Sequence, residues 1–215
     1  MTAVVESPAH ELSKLMRAGS RAEHTAAESS DFIERLLDGG AERDEYAAYV
    51  RRLATVYDAL ESVGRSHAGD PMVDAVVDPL LDRRDALAAD LDYWVGEGWH
   101  ETPLDSPATD AYVSRIRAAT DEWTGLYVAH HYTRYLGDLS GGQAIGRVIS
   151  RTYGLPDGVG AAFYEFAGIP KPKPYKDAYR ARLDALDIDA VDKQRIVSEV
   201  KLAFRLNEAL FAELA

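Results

Sequence analysis

The chain contains no cysteine, which excludes a disulfide framework, a thiolate metal ligand and a thiol nucleophile. No stretch approaches the roughly 20 apolar residues of a membrane span. The start, "MTAVVESPAHE", lacks the basic segment followed by an apolar run that marks a secretory leader, so a cytoplasmic protein is expected. Basic residues are also scarce, 24 Lys and Arg against 36 Asp and Glu, for a formal net charge of −12. Binding a nucleic-acid backbone depends on Lys and Arg displacing counterions, and this balance excludes nucleic acid as a general partner. Alternating strand patterns, internal repeats and low-complexity tracts are absent. So are the GxxxxGKS/T phosphate loop and the glycine fingerprint of dinucleotide sites.

With 215 residues, 47% of them hydrophobic, and no linker-like composition in the middle, the chain is long enough for one sizeable core. The expected architecture is a compact, all-helical single domain over residues 8–215, preceded by a flexible N-terminal tail at residues 1–7. Ser7-Pro8 reads as a helix start, with the helix running to about Ser29. A second helix begins near Glu42 and places Tyr46, Tyr49, Val50, Leu53, Val56, Tyr57 and Leu60 at helical spacing. Further helices fit 71–95, with a break at Asp78-Pro79, then 107–122 after Ser106-Pro107, and 123–153. "GIPKPKP" reads as a stiff connector, and Asp189 as the cap of a last helix through Leu214.

The helix over 123–153 carries "GDLSGGQ", Gly137 to Gln143, with Gly146 following. Four helical glycines cost on the order of 4 kcal/mol relative to alanine, so something must offset them. "LSGGQ" matches the signature of ABC-type ATPases, but no phosphate loop accompanies it, and "GGQ" suits a release factor poorly at this net charge. Two readings are left. Gly137 and Gly141, one turn apart, admit either a tightly packed helix or a planar ligand lying on bare backbone. Asp138 within the cluster favours the ligand, because an acid there must face water or order water in a cavity.

A planar ligand holding a metal needs a donor from the opposite wall. His10 lies at a helix start, His67 and His100 lie in loop-like segments, and His130 and His131 precede Gly137 on its own helix. His24 sits among small residues with Glu28 one turn later, where a carboxylate can accept from the ring N–H of a metal-bound imidazole. Taken alone, His24 reads more readily as an ordinary surface or core histidine than as a ligand.

Five segments occur in order along residues 11–214: "HTAAESSDF", "VYDALE", "AHHYTRYLGDLSGGQ", "YKDAYR" and "AFRLNEALF". Together they resemble haem oxygenase, particularly the soluble bacterial kind. The resemblance implies an all-helical fold that clamps haem b, at once substrate and cofactor, between a proximal and a distal helix. It implies His24 as the axial iron ligand and Glu28 as the acceptor behind it. Gly137, Gly141 and Gly142 would face the haem, Asp138 would hold water that delivers a proton, and Tyr57, Tyr132, Arg134 and Asn207 would line a distal polar network. Phe204 would pack at the haem, and Arg17, Lys176 and Arg180 would meet the propionates, with Lys173 as a spare candidate.

The implied reaction opens haem to the alpha isomer of biliverdin, carbon monoxide and ferrous iron, using O2 and electrons from a separate reductase or ferredoxin. A monomer is expected, serving iron acquisition or haem detoxification. The alternative is a haem carrier or sensor without turnover, which has no need of Asp138. Two departures stand out: Arg17 occupies a position where many relatives have lysine, and "KPKP" is unusually rich in proline.

Overall fold

The computed structural model describes residues 11–156 and 158–214, and among them it contains eleven α-helices and no strand. The expected tail, His10 and the Ser7-Pro8 helix start lie outside the described residues. Beyond them, the single helix expected as far as Ser29 is two: α1 (Leu12–Gly19) and α2 (Arg21–Glu28). Ser20 interrupts them with φ −107° and ψ 15°, and its hydroxyl donates to the Met16 carbonyl at 2.8 Å. Gly19 beside it lies so close to a later helix that an added Cβ would stand 2.5 Å from Val197 Cγ1. Arg17 and His24 therefore belong to different helices, and their spacing does not measure a distance along one axis.

After α3 (Asp31–Leu37) comes α4 (Arg43–Ser66). Its start is closed by a capping box, with Glu45 accepting from the Glu42 N–H at 2.7 Å. The expected stripe on α4, from Tyr46 to Leu60, is buried. Residues 71–95 are more broken than their composition suggests. Asp70 caps α5 (Pro71–Asp74), Asp78 caps a 3-10 turn at Pro79–Leu81, and only then does α6 (Arg84–Trp94) begin. Buried Arg83 holds this irregular stretch together by donating to four carbonyls, those of Leu81, Asp82, Phe163 and Glu165.

Ser106 caps α7 (Pro107–Glu122) as expected, and α8 (Thr124–Gly137) passes through a wide π turn at Asp138–Gly142 into α9 (Gln143–Tyr153). The "KPKP" segment is the first turn of α10 (Pro172–Asp184) and not a connector. Two prolines fit there because the first-turn N–H groups of a helix have no internal acceptor to lose. Finally α11 (Ala190–Ala212) starts at Asp189, whose carboxylate accepts from the Asp192 N–H at 2.8 Å.

The core is one cluster in which α8 packs against α11 and α7, and α4 against α6 and α7. Fully buried Tyr57, Tyr112, Tyr127, Tyr135 and Tyr179 fill much of it. No helix among the described residues is long and apolar enough to cross a membrane. At its centre α11 contributes Glu199, which accepts from Arg115 of α7 at 2.8 and 2.5 Å and pairs with His130 Nε2 of α8 at 2.8 Å. Burial alone would raise the Glu199 pKa, but His130 and Arg115 outweigh it and bring the group down from 4.5 to about 2.

A folded-state pKa below the unfolded one stabilises the protein above about pH 4.5, and that contribution is lost as pH falls toward 2. Glu199→Gln should therefore cost roughly 3 kcal/mol at neutral pH, the low end for a buried pair because Arg115 keeps some solvent. In urea unfolding series at stepped pH, the gap between variant and parent should close in acid. A gap that stays constant with pH would refute the assignment.

Candidate active site

A cavity of about 660 Å3 opens between α1 and α2 on one side and α8 with its wide turn on the other, with α10 and α11 completing it. That volume suits a small-molecule or cofactor site, for which the usual range is roughly 300–1,000 Å3. On the first wall stands His24, its side chain 50% exposed, with Nδ1 3.2 Å from Glu28 Oε2. The Phe204 ring meets the imidazole edge-on, centroids 5.4 Å apart. Among the described residues His24 Nε2 has no protein partner, so the ring is oriented through one nitrogen and offers the other.

The opposite wall explains the glycines, which divide into two pairs. A Cβ added at Gly137 or Gly141 would meet nothing within 4 Å, and both positions line the cavity. At Gly142 the same atom would lie 3.3 Å from Tyr164 Cδ1, and at Gly146 2.8 Å from Tyr164 Cβ. Tight packing is therefore not what Gly137 and Gly141 serve: that pair leaves the backbone bare toward the cavity, and it is Gly142 and Gly146 that let Tyr164 pack against the helix. Gly142 also lines the cavity, but its missing side chain answers to Tyr164. The π turn at Asp138–Gly142 contains one glycine of each pair, and such turns occur frequently at functional sites.

Asp138, expected to face water or to order water in a cavity, is buried at the cavity wall, and one of its oxygens is taken by protein. Tyr57 of α4 donates its hydroxyl to Asp138 Oδ2. Arg134 Nε donates in turn to the Tyr57 oxygen at 3.2 Å, and Arg134 Nη1 donates to Asn207 Oδ1 of α11 at 2.6 Å. Asn207 is anchored by its own Nδ2 on the Ala203 carbonyl at 3.1 Å. Burial raises the Asp138 pKa, against the opposing pull of Arg134, Tyr57 and Arg83. Among the described residues Oδ1 has no protein partner, which leaves one carboxylate oxygen for whatever enters the cavity.

Cations gather at the rim: Arg17, Arg21, Lys176 and Arg180 all line the opening, as does Tyr132. Among the described residues neither Arg17 nor Arg21 has a carboxylate within ion-pair distance, and Lys176 donates only to Ser140 Oγ at 2.9 Å. Burial and then Arg180 push the Lys176 pKa down. Arg180 is paired with Asp177 at 3.2 Å, but in a chain of net charge −12 the four together make a local positive field, suited to an anionic group. Lys173 is not part of it, since its 88% exposed side chain pairs with Asp177 at 3.0 Å and does not line the cavity. No group of three or more His, Asp or Glu that could hold a bare metal ion exists among the described residues.

The sequence reading missed Arg21, Ser140, Tyr49 and Tyr164 as cavity residues. Arg21 was within reach of inspection, three residues before His24. Tyr164 was not, because it follows an irregular stretch with no periodicity to place it.

The chain matches the family model described as Heme oxygenase over residues 10–213. It belongs to the haem oxygenase family. It is 41% identical to Heme oxygenase 1 of Nostoc sp. over 203 residues, covering 94% of this chain and 85% of that protein. The crystal structure of heme oxygenase-2 from Synechocystis sp. in complex with heme and NO superposes with a TM-score of 0.92 at 36% identity, covering 95% of this chain and 85% of that one. The structure of heme oxygenase from Leptospira interrogans does so with a TM-score of 0.90 at 37% identity, covering 94% and 99%. The all-helical fold expected from the sequence is therefore the fold of haem oxygenases.

The division of the glycines has a measurable outcome in the ligand-free protein. Gly137→Ala should stabilise it by up to about 1 kcal/mol, because helix propensity improves and the added methyl meets nothing. Gly146→Ala gains the same propensity but drives a methyl against Tyr164 near its backbone, where overpacking costs about 1–3 kcal/mol, so it should be neutral to destabilising. Equal shifts in chemical denaturation would contradict the division.

Proposed function

We propose that this protein is a haem-degrading oxygenase: it binds haem b in the cavity and, with O2 and electrons from a separate reductase or ferredoxin, opens it to biliverdin, carbon monoxide and ferrous iron. The observation that carries this reading is the pairing of walls, a single imidazole facing helix backbone stripped of side chains, with a half-free buried carboxylate beside it. The residues present fit the group. A flat macrocycle needs the space left by Gly137 and Gly141, its iron needs one donor where a bare ion would need several, and its two carboxylates need the rim cations.

Bound haem supplies both the iron at which oxygen is reduced and the carbon that is oxidised. The chain's residues do the rest. His24 would ligate through Nε2 while Glu28 accepts from Nδ1–H, which sets the tautomer and raises the basicity of the ligand. As a neutral imidazole it would push less electron density onto iron than a thiolate. Gly137 and Gly141 would bring backbone close on the distal side and restrict the space there. Asp138, held by Tyr57 and through it by Arg134 and Asn207, would keep Oδ1 in place to hold or pass a proton. Arg17, Lys176 and Arg180 would fix the propionates, with Tyr132 nearby.

Adding haemin, then reductant under air, tests this directly. Loss of the Soret band with biliverdin and carbon monoxide appearing supports turnover, whereas a persistent haem spectrum supports the carrier alternative. His24→Ala should lose most turnover and regain part of it with added imidazole; unchanged activity would remove His24 from the iron. Asp138→Ala should still bind haemin but form biliverdin about 100-fold more slowly, the scale of a lost proton donor. A normal biliverdin yield would remove Asp138 from proton delivery.

A further inference from the structure

Two of the rim cations, Lys176 and Arg180, ride on α10, a helix of 13 residues that buries only Tyr179 and Leu183. So little apolar area leaves its placement to directed polar contacts. Several of these go to neighbouring segments: the Tyr175 hydroxyl donates to Asp78 at 2.7 Å, Arg182 Nε donates to the Ala75 carbonyl at 2.8 Å, and Asp184 accepts from Ser13 at 2.8 Å. One buried contact, between the two cations in sequence, goes to the distal helix itself. Tyr179 Oη and His131 Nδ1 of α8 lie 2.9 Å apart and share a hydrogen bond.

The two rings also stack, with centroids 5.8 Å apart and planes at 16°. Tyr135 and Tyr127 close around His131 at 4.3 and 5.8 Å. Burial, and then Arg182, push the His131 pKa down to about 3, so the ring is neutral and this bond is its polar tie at any working pH. An apolar ring would fill the same space without the cost of enclosing an imidazole. What the histidine adds is direction.

We infer that His131 is a positioning residue for the anionic edge of the substrate: through Tyr179 it sets where Lys176 and Arg180 stand relative to Gly137 and Asp138. His131 precedes Gly137 by six residues on α8, about 9 Å along the axis. The bond therefore joins the distal wall and the carboxylate-binding rim of one cavity across two helices. This rests on the reading of the cavity as a haem site.

His131→Phe and Tyr179→Phe each remove the bond and keep a ring, and the double variant leaves neither polar atom orphaned, which guards against loss of folding. Each folded variant is titrated with haemin and with haemin dimethyl ester, whose carboxylates are masked. Haemin affinity should fall about five-fold in each single variant and no further in the double. Affinity for the ester should stay at the wild-type value, because His131 acts only through the cations that meet free carboxylates. Unchanged haemin affinity in both single variants overturns the inference, as does an equal loss toward the ester, which would mark a general structural role. A wild-type protein that does not bind haemin would overturn the reading of the site instead.

Discussion

Arg134 carries a positive charge inside the protein, and the middle of the fold is arranged so that this charge always has an acceptor. The guanidinium reaches Tyr57 on α4 and Asn207 on α11 while belonging to α8, and its charge lies over the Tyr57 ring at 5.1 Å. Removing any of these partners leaves a buried donor unpaired, at a cost larger than the net worth of the bond itself. Three long helices are thereby locked in register about one residue. Asp138 profits from that rigidity: the Tyr57 hydroxyl that holds it is itself held, so the carboxylate enters the cavity with one oxygen committed and one free.

A second polar centre on the same two helices does different work. Glu199 joins α11 to α7 and α8 through Arg115 and His130, away from the cavity, and His131 turns the other way to meet Tyr179. Adjacent buried histidines on α8 thus serve different neighbours, one bonding α11 through Glu199 and one bonding α10 through Tyr179. The cavity is framed by polar groups on three sides: a buried acid on the wall formed by α8 and its wide turn, a half-exposed imidazole on the opposite wall, and cations at the mouth.

Much of this was legible in the sequence wherever the cause was local. The stripe on α4, the caps at Ser106 and Asp189, the four-residue step from His24 to Glu28 and the oddity of glycine within α8 all follow from neighbours in the chain. What escaped depends on distant partners. The break at Ser20 reflects the approach of Gly19 to Val197, the roles of His130 and His131 depend on Glu199 and Tyr179, and the second pair of glycines answers to Tyr164. The "KPKP" segment failed for another reason: proline reads as a breaker, yet in a first turn it lacks only hydrogen bonds that no helix makes there.

The wide turn at Asp138–Gly142 has a consequence of its own. A π turn accommodates one residue more than the α-helical ladder, so everything after it is out of phase by about 100° with the helix before it. In an unbroken α-helix the nine residues from Gly137 to Gly146, at about 100° each, would set the two on opposite faces; the extra residue of the turn brings them to about 80° of one another, with Gly137 lining the cavity and Gly146 against Tyr164. Deleting one residue from the turn would return the two halves to a common register and swing α9 away from its packing partner. The glycine run is therefore tuned in length as well as in composition, and a change in residue count there would be felt farther along the chain than a change in residue type.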